Sequence, residues 1–434
     1  MWQRIAQWRR ARSGLRRMPG TSRLWCPTRA RHGNGCRRVP CLKDTSSHLL
    51  PQSPWRASAA APPQVAAPLQ VVPLSAPDIT ESEIEAVTTV LRTPHLSLGP
   101  ELPAFEAALA TYHGVPHAVA VSSGTAGLHL ALLTLNIGEG DEVIIPSFAF
   151  IALANAVLQV RATPVFAEID PITLNLSPEA VEQAITPRTR AILVVHTFGV
   201  PADMDALGAI ARRHKLALIE DACEAIGAKF QGRRAGSFGS LAVFGFYPNK
   251  QITTGEGGAV LAHDPAHAAR LRSLRNQGRQ SNGGWLDHAE PGYNYRLSEL
   301  ACAMGRVQLS RIDEMLALRQ AAAQRYDALL KGIPTLELPP LALPNRTISW
   351  FVYVLRLPQS ADRDRIQCAL ARHGIATGRY FPPIHLQPAW RARSAAPHLP
   401  LTESIARRTL ALPFFNRITL AQQQMVASAL ARAC

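Results

Sequence analysis

From residue 81 onward, short runs of Val, Ile, Leu and Ala alternate with stretches whose apolar positions recur every three or four residues. The pattern opens with "SAPDITESEIEAVTTVL", where Thr80 stands at a helix-cap position and Glu83 follows three residues on, the spacing of a capping box. Beyond it, "HAVAVSSGTAGLHLALLTL" predicts strand, turn and helix, and "DEVIIPSF" and "TPVFAEID" predict strands. "PEAVEQAI" and "MDALGAIARRH" predict helices, and "TRAILVVHTFG", "KLALIEDAC" and "SLAVFGFY" predict further strands. Strands this apolar, separated by helices, predict an α/β fold around a mostly parallel sheet buried on both faces. The longest uncharged stretch, residues 143–160, contains Pro146, Ser147, Asn155 and Gln159, so it predicts a buried strand, a turn and a helix start rather than a membrane span.

Near Ser298 the pattern becomes one helix of more than 30 residues, stopped by Gly332 and Pro334. "ISWFVYVLRL" then predicts a strand, "DRDRIQCALARHG" a helix and "YFPPIHLQP" a Pro-rich loop. The chain is expected to divide into an extension over 1–70, a large domain over 71–320 and a smaller C-terminal α+β domain over 321–434. The extension shows no apolar period and is expected to be disordered.

Charge sharpens that division. Of the net +15, residues 1–60 hold +12, with thirteen Lys or Arg against Asp44 alone. The body is close to neutral, which removes the case for a specific nucleic-acid partner there. The extension reads best as a solvated appendage or as translated sequence upstream of a start near Val71, with an Arg-rich leader and a patch for nucleic acid or anionic lipid as the alternatives. The seven cysteines are odd in number and lack metal-ligand spacing, so reduced thiols in a cytoplasmic protein, without metal, are expected.

Four features fall at predicted strand ends, where open parallel sheets take ligands. In "SSGTAGLHLAL" the N–H groups of Gly124, Thr125 and Ala126 open a helix, an arrangement suited to phosphate, although such turns also simply cap helices. Asp221 ends the apolar run "LALIED" and needs a partner there, either a cationic ligand or the following backbone as its cap. Lys250 lies among Tyr247, Pro248, Thr253 and Gly255, where partial desolvation would make it a nucleophilic amine; a plain surface lysine on a loop is the alternative. Phe150 offers a ring either to a flat ligand or to the core. Taken together they describe one ligand, a phosphorylated aromatic aldehyde with a ring nitrogen, and pyridoxal 5′-phosphate (PLP) meets each requirement.

The stretches "SSGTAGLHLAL", "IPSFAFIALANAV", "HTFGVPADMDAL", "IEDACEAIGA", "FYPNKQITTGEGG", "GYNYRLSELACAMGRVQL" and "YFPPIHLQP" carry a closer likeness. From about Val71 to Arg432 the chain resembles the DegT/DnrJ/EryC1/StrS family of PLP-dependent sugar aminotransferases, in the manner of perosamine synthases. The resemblance implies the fold type I, aspartate aminotransferase-like architecture and a homodimer with a shared active site. It implies that Lys250 holds the cofactor and moves the proton, that Asp221 faces the ring nitrogen, and that Phe150 stacks on the ring. Gly124, Thr125 and Ala126 would hold the phosphate, Asn294 would reach the neighbouring subunit's cofactor, and Tyr380 and His385 fall in a segment that lines the sugar pocket or merely packs as a loop. Two positions depart from the family pattern. Gly245 stands where a phosphate-binding Ser is frequent, leaving Asn249, Ser240 or water to compensate. Glu224 stands where His or Gln is common near the cofactor's phenolic oxygen, and must be protonated, paired or turned to substrate.

The implied reaction moves an amino group from an amino acid, glutamate first, to a keto-sugar nucleotide. A keto-cyclitol would suit the same core. A sugar-dehydratase reading is disfavoured because that branch has His at the lysine position, and a non-catalytic PLP-binding regulator needs less than the Lys250/Asp221 pair. No membrane partner is expected.

Overall fold

The computed structural model describes residues 72–279, 284, 286–391 and 397–434, and the expected extension over 1–70 lies outside them. Nine strands come in the first two-thirds of the described chain. They are β1 (His117–Val121), β2 (Glu142–Pro146), β3 (Thr163–Ala167), β4 (Thr189–Val195), β5 (Ala217–Asp221), β6 (Lys229–Phe230), β7 (Arg233–Arg234), β8 (Leu241–Gly245) and β9 (Gly258–Ala262). Seven of them form one sheet in the order β1-β9-β8-β5-β4-β2-β3. All neighbours are parallel except those of β9, which runs antiparallel to both β1 and β8. The mostly parallel α/β fold expected from the alternation of apolar strands and helices is what the chain adopts.

Residue alternation along each strand explains why both faces are covered. Val119, Val121, Leu241, Val243 and Val260 pack with helices Gly124–Thr134, Ala152–Gln159 and Pro265–Arg275. Their neighbours Ala118, Ala120, Ala242, Phe244 and Leu261 point the other way, against helices Glu101–His113 and Glu299–Ser310. A second core gathers β11 (Tyr353–Arg356) and β12 (Thr409–Leu412), paired antiparallel, with helices Arg363–Arg372 and Leu420–Ala433. Helix Ile312–Leu330 joins the two: Met315 belongs to the first core, and Ala322, Tyr326 and Leu330 to the second. The two-residue strand β10 (Arg346–Thr347) pairs with β6.

Three details differ from the reading of the sequence. The expected single helix after Ser298 is two, Glu299–Ser310 and Ile312–Leu330, broken at Arg311 (φ −100°, ψ 6°). Arg311 there turns its guanidinium to Glu83 Oε1 at 2.8 Å, tying the break to the helix Glu81–Leu91. The stretch "ISWFVYVLRL" is strand only over Tyr353–Arg356. Finally, β9, which follows Gly255 and Gly257, is a strand that the alternation did not predict. Its Gly258 has no room for a side chain, since a Cβ would fall 2.6 Å from the Ser123 carbonyl carbon and 2.7 Å from Gly124 N. The capping box at Thr80 and Glu83 forms as its spacing predicts, with Thr80 N–H donating to Glu83 Oε2 at 2.7 Å.

Candidate active site

The C-terminal ends of β5 and β8 and the helix starting at Gly124 converge on one cavity of about 350 Å³. Asp221 reaches it because it is the last residue of β5, opposite Val195 of β4 and Val243 of β8. The residue is buried, and its Oδ1 accepts the Cys223 N–H at 3.0 Å, so the capping reading of Asp221 is correct as far as it goes. The carboxylate also lines the cavity, so capping and ligand contact are compatible.

Lys250 enters the same cavity from the turn that follows β8. Its N–H donates to Tyr247 O at 2.9 Å. Its Nζ lies 3.6 Å from Glu224 Oε1 and 4.0 Å from the centre of the Phe351 ring, a cation–π contact. The Lys250 carbonyl accepts from Arg319 Nη2 at 3.0 Å, and Arg319 Nη1 donates to the carbonyls of Trp350 and Phe351. One buried guanidinium thus fixes both the lysine backbone and the aromatic residue beneath its amine.

At the other end, Ser123 caps the helix Gly124–Thr134, with Oγ accepting the Ala126 N–H at 3.1 Å. Ala126 was expected to offer its N–H to a ligand along with Gly124 and Thr125; instead that N–H serves the cap. The Gly124 and Thr125 N–H groups meet no acceptor among the described residues, as first-turn donors have no intrahelical partner. Gly124 and Gly245 pass close to each other beside the Cys223 thiol, which would lie 2.8 Å from a Cβ at 124 and 3.3 Å from one at 245. Of the two side chains expected to compensate for Gly245, Asn249 lines the cavity and its Oδ1 is buried without a partner, whereas Ser240 is exposed and outside the lining.

Phe150 is 61% exposed at the mouth of the cavity, while its neighbour Phe148 is fully buried, so the ring at 150 is not a core ring. Glu224 is buried beside Lys250 and accepts the Phe198 N–H at Oε2, 2.9 Å away. Burial pushes its carboxyl above the ordinary range, opposed by the Lys250 charge and the Phe198 N–H. Tyr380 lines the cavity, and burial raises its hydroxyl above the usual value.

Two expected residues stand elsewhere. His385 is buried outside the lining, with Nδ1 2.6 Å from Ser147 Oγ and Nε2 3.4 Å from Glu403 Oε1, so it joins the turn after β2 to the C-terminal segment. Asn294 is exposed and outside the lining, in a segment whose Tyr295 carbonyl accepts the Ser122 N–H at 2.8 Å. The reading of the sequence missed Phe351, which sits within a predicted strand, and Arg319, which sits mid-helix; neither carries a local signal of its contact with Lys250.

Comparison with known proteins identifies the family. The DegT/DnrJ/EryC1/StrS aminotransferase family model matches residues 77–431. The GDP-perosamine synthase of Caulobacter vibrioides is 40% identical over 364 residues, 83% of this chain and 97% of that protein. The erythromycin biosynthesis sensory transduction protein EryC1 of Saccharopolyspora erythraea is 45% identical over 318 residues, 73% of this chain and 85% of the relative. Among solved structures, S. venezuelae DesV matches with a TM-score of 0.78 at 40% identity, covering 83% of this chain and 98% of DesV. Helicobacter pylori PseC, an aminotransferase involved in the biosynthesis of pseudoaminic acid, matches with a TM-score of 0.80 at 27% identity, covering 84% and 99%.

Proposed function

The chain belongs to the DegT/DnrJ/EryC1/StrS aminotransferase family, PLP-dependent enzymes that aminate sugars, and on that premise we propose that Lys250 and Asp221 operate its cofactor on a keto-sugar nucleotide. The residues present suit pyridoxal 5′-phosphate. An amine, a carboxylate, an exposed ring and two unsatisfied N–H groups at a helix start share one cavity. When bound, the cofactor supplies an aldehyde for an amine and a ring that accepts the electron pair of a deprotonated carbon.

The protein's part follows from its own groups. Lys250 Nζ tethers the cofactor and, once displaced by the donor amine, is a free base beside the reacting carbon, where it takes and returns the proton. Asp221 holds a proton on the ring nitrogen. Phe150 covers the ring, and Gly124 and Thr125 hold the phosphate with their N–H groups. Asn249, which lines the cavity and carries a donating amide Nδ2, is the better candidate of the two to serve where Gly245 has no side chain. Tyr380 faces the substrate. Asn294, exposed and away from this cavity, serves a second copy's site, so the working unit is a homodimer. The domain boundary near residue 320 is supported by the change of core along helix Ile312–Leu330.

The observation that carries this reading is the convergence of Lys250 and Asp221 on one cavity. Glutamate added to the holoenzyme is expected to convert the absorbance of the lysine-bound cofactor, and a keto-sugar nucleotide to restore it. Lys250→Ala is expected to lose both that absorbance and turnover; turnover retained in that variant would refute the assignment.

A further inference from the structure

Glu224 is held on the turn after β5 with unusual firmness. Its Oε2 takes the N–H of Phe198, whose backbone is left-handed (φ 55°), and adjoining Gly199 has φ 84° with no room for a Cβ, which would fall 1.6 Å from Ser349 O. The Glu224 carbonyl accepts from Gln251 Nε2 at 2.6 Å, so the residue after Lys250 grips the backbone of the carboxylate. Glu224 is buried and the Lys250 side chain is only 15% exposed; their heads lie 3.6 Å apart, and both line the cavity.

We infer that Glu224 is the proton store of Lys250: it holds the amine as an ammonium in the cofactor-free protein, takes its proton when Nζ becomes bonded to carbon, and keeps it, so that the lysine later displaced is a neutral base. This rests on the role proposed for Lys250 above. The balance is complete with the groups named. An ammonium Nζ carries three hydrogens; when it forms a C=N bond with an aldehyde, two leave with the aldehyde oxygen as water and the third passes to Glu224 Oε1. The ion pair becomes a neutral pair; a donor amine that later displaces the lysine passes its two hydrogens to Nζ, which leaves as the neutral amine while Glu224 keeps its proton.

The surroundings favour that direction. Asp221, Cys223, Tyr247 and Tyr380 line the same cavity as Glu224, and the Asp221 charge opposes a charge on Glu224. Lys250 is the single cation among the described lining residues. Once its charge is gone, burial and the Asp221 carboxylate both favour the protonated acid, and the Phe198 N–H alone opposes them. A glutamine in this position would take the same hydrogen bond from Phe198 and could store no proton.

Infrared difference spectra of the full-length cofactor-free protein, before and after addition of pyridoxal 5′-phosphate, test this, with visible absorbance reporting attachment in parallel. The expected result is a new carboxylic-acid C=O band that shifts in D₂O, grows in step with attachment, and is lost in Glu224→Gln while attachment persists. A merely structural carboxylate would leave that region flat. Attachment without the band in the wild-type protein, or the same band in Glu224→Gln, overturns the proton store. Attachment that survives in Lys250→Ala overturns instead the reading of Lys250, and the proton store with it.

Discussion

Cys223 and Gly245 constrain each other. The thiol fills the room that a side chain at 245 would enter, with a Cβ there only 3.3 Å from Sγ and 3.5 Å from the Cys223 Cβ. Gly245→Ser alone is therefore expected to lower stability by about 1 kcal/mol through overpacking. Combined with Cys223→Ala, it is expected to cost less than the two single changes together, because the alanine vacates the contested space. Urea unfolding of the four proteins in the cycle measures this, and simple additivity would show the two positions to be independent. The same scale shows what a sequence makes visible. A charged residue closing an apolar run, as Asp221 does, announces a local cost that something must offset. Glu224 was visible as a departure from the family pattern, but its pairing with Lys250 depends on the turn after β5 and the turn after β8 meeting in space.

Helix Ile312–Leu330 reaches the site through one side chain, Arg319. Its guanidinium is buried without a carboxylate among the described residues and donates to three carbonyls, those of Lys250, Trp350 and Phe351. Burial pulls it down to about 10. Arg319→Met would leave those carbonyls without their donor, and an expected loss of about 3 kcal/mol follows from the usual cost of stranding buried polar groups. Arg319→Lys keeps a donor and should lose less; chemical denaturation ranks the two, and equal losses would mean that packing of the stem, rather than the fork of hydrogen bonds, holds the segment. Elements were legible where their cause was local. The doubly buried strands are written in continuous apolar runs, and the cap at Thr80 in two residues three apart. β9 was hidden because it opens on Gly258 directly after Gly255 and Gly257, and Gly258 is needed for the close pass of Ser123 and Gly124, which no neighbour in sequence reveals. The break at Arg311 was hidden for a similar reason: the apolar period runs on through it, and the group that draws its side chain aside, Glu83, lies 228 residues away.

At the scale of the whole molecule, the first described residue, Val72, is tied into the C-terminal core. Only 1% exposed, it packs in the second core, bridges to Ile375, donates to Gly374 O at 2.8 Å and accepts from Ala376 N at 3.0 Å. Two residues on, the Leu74 carbonyl accepts the Phe414 N–H at 2.9 Å. The start of the body is thus stitched into the C-terminal core, although the family match begins only at residue 77. A chain beginning at Val71 retains every one of these contacts and is expected to match the full chain in turnover and unfolding midpoint. One beginning at Pro77 loses a buried valine and three backbone hydrogen bonds, an expected cost of about 3 kcal/mol. Charge separates the same two chains in another assay. With +12 in its first 60 residues, the full chain should bind DNA or heparin with a steep inverse dependence on salt, and the chain beginning at Val71 should bind neither. Comparable retention of both chains at low salt would move the anion-binding surface onto the folded body. A loss of turnover in the chain beginning at Val71 would give the basic segment a part in the reaction that its sequence does not suggest.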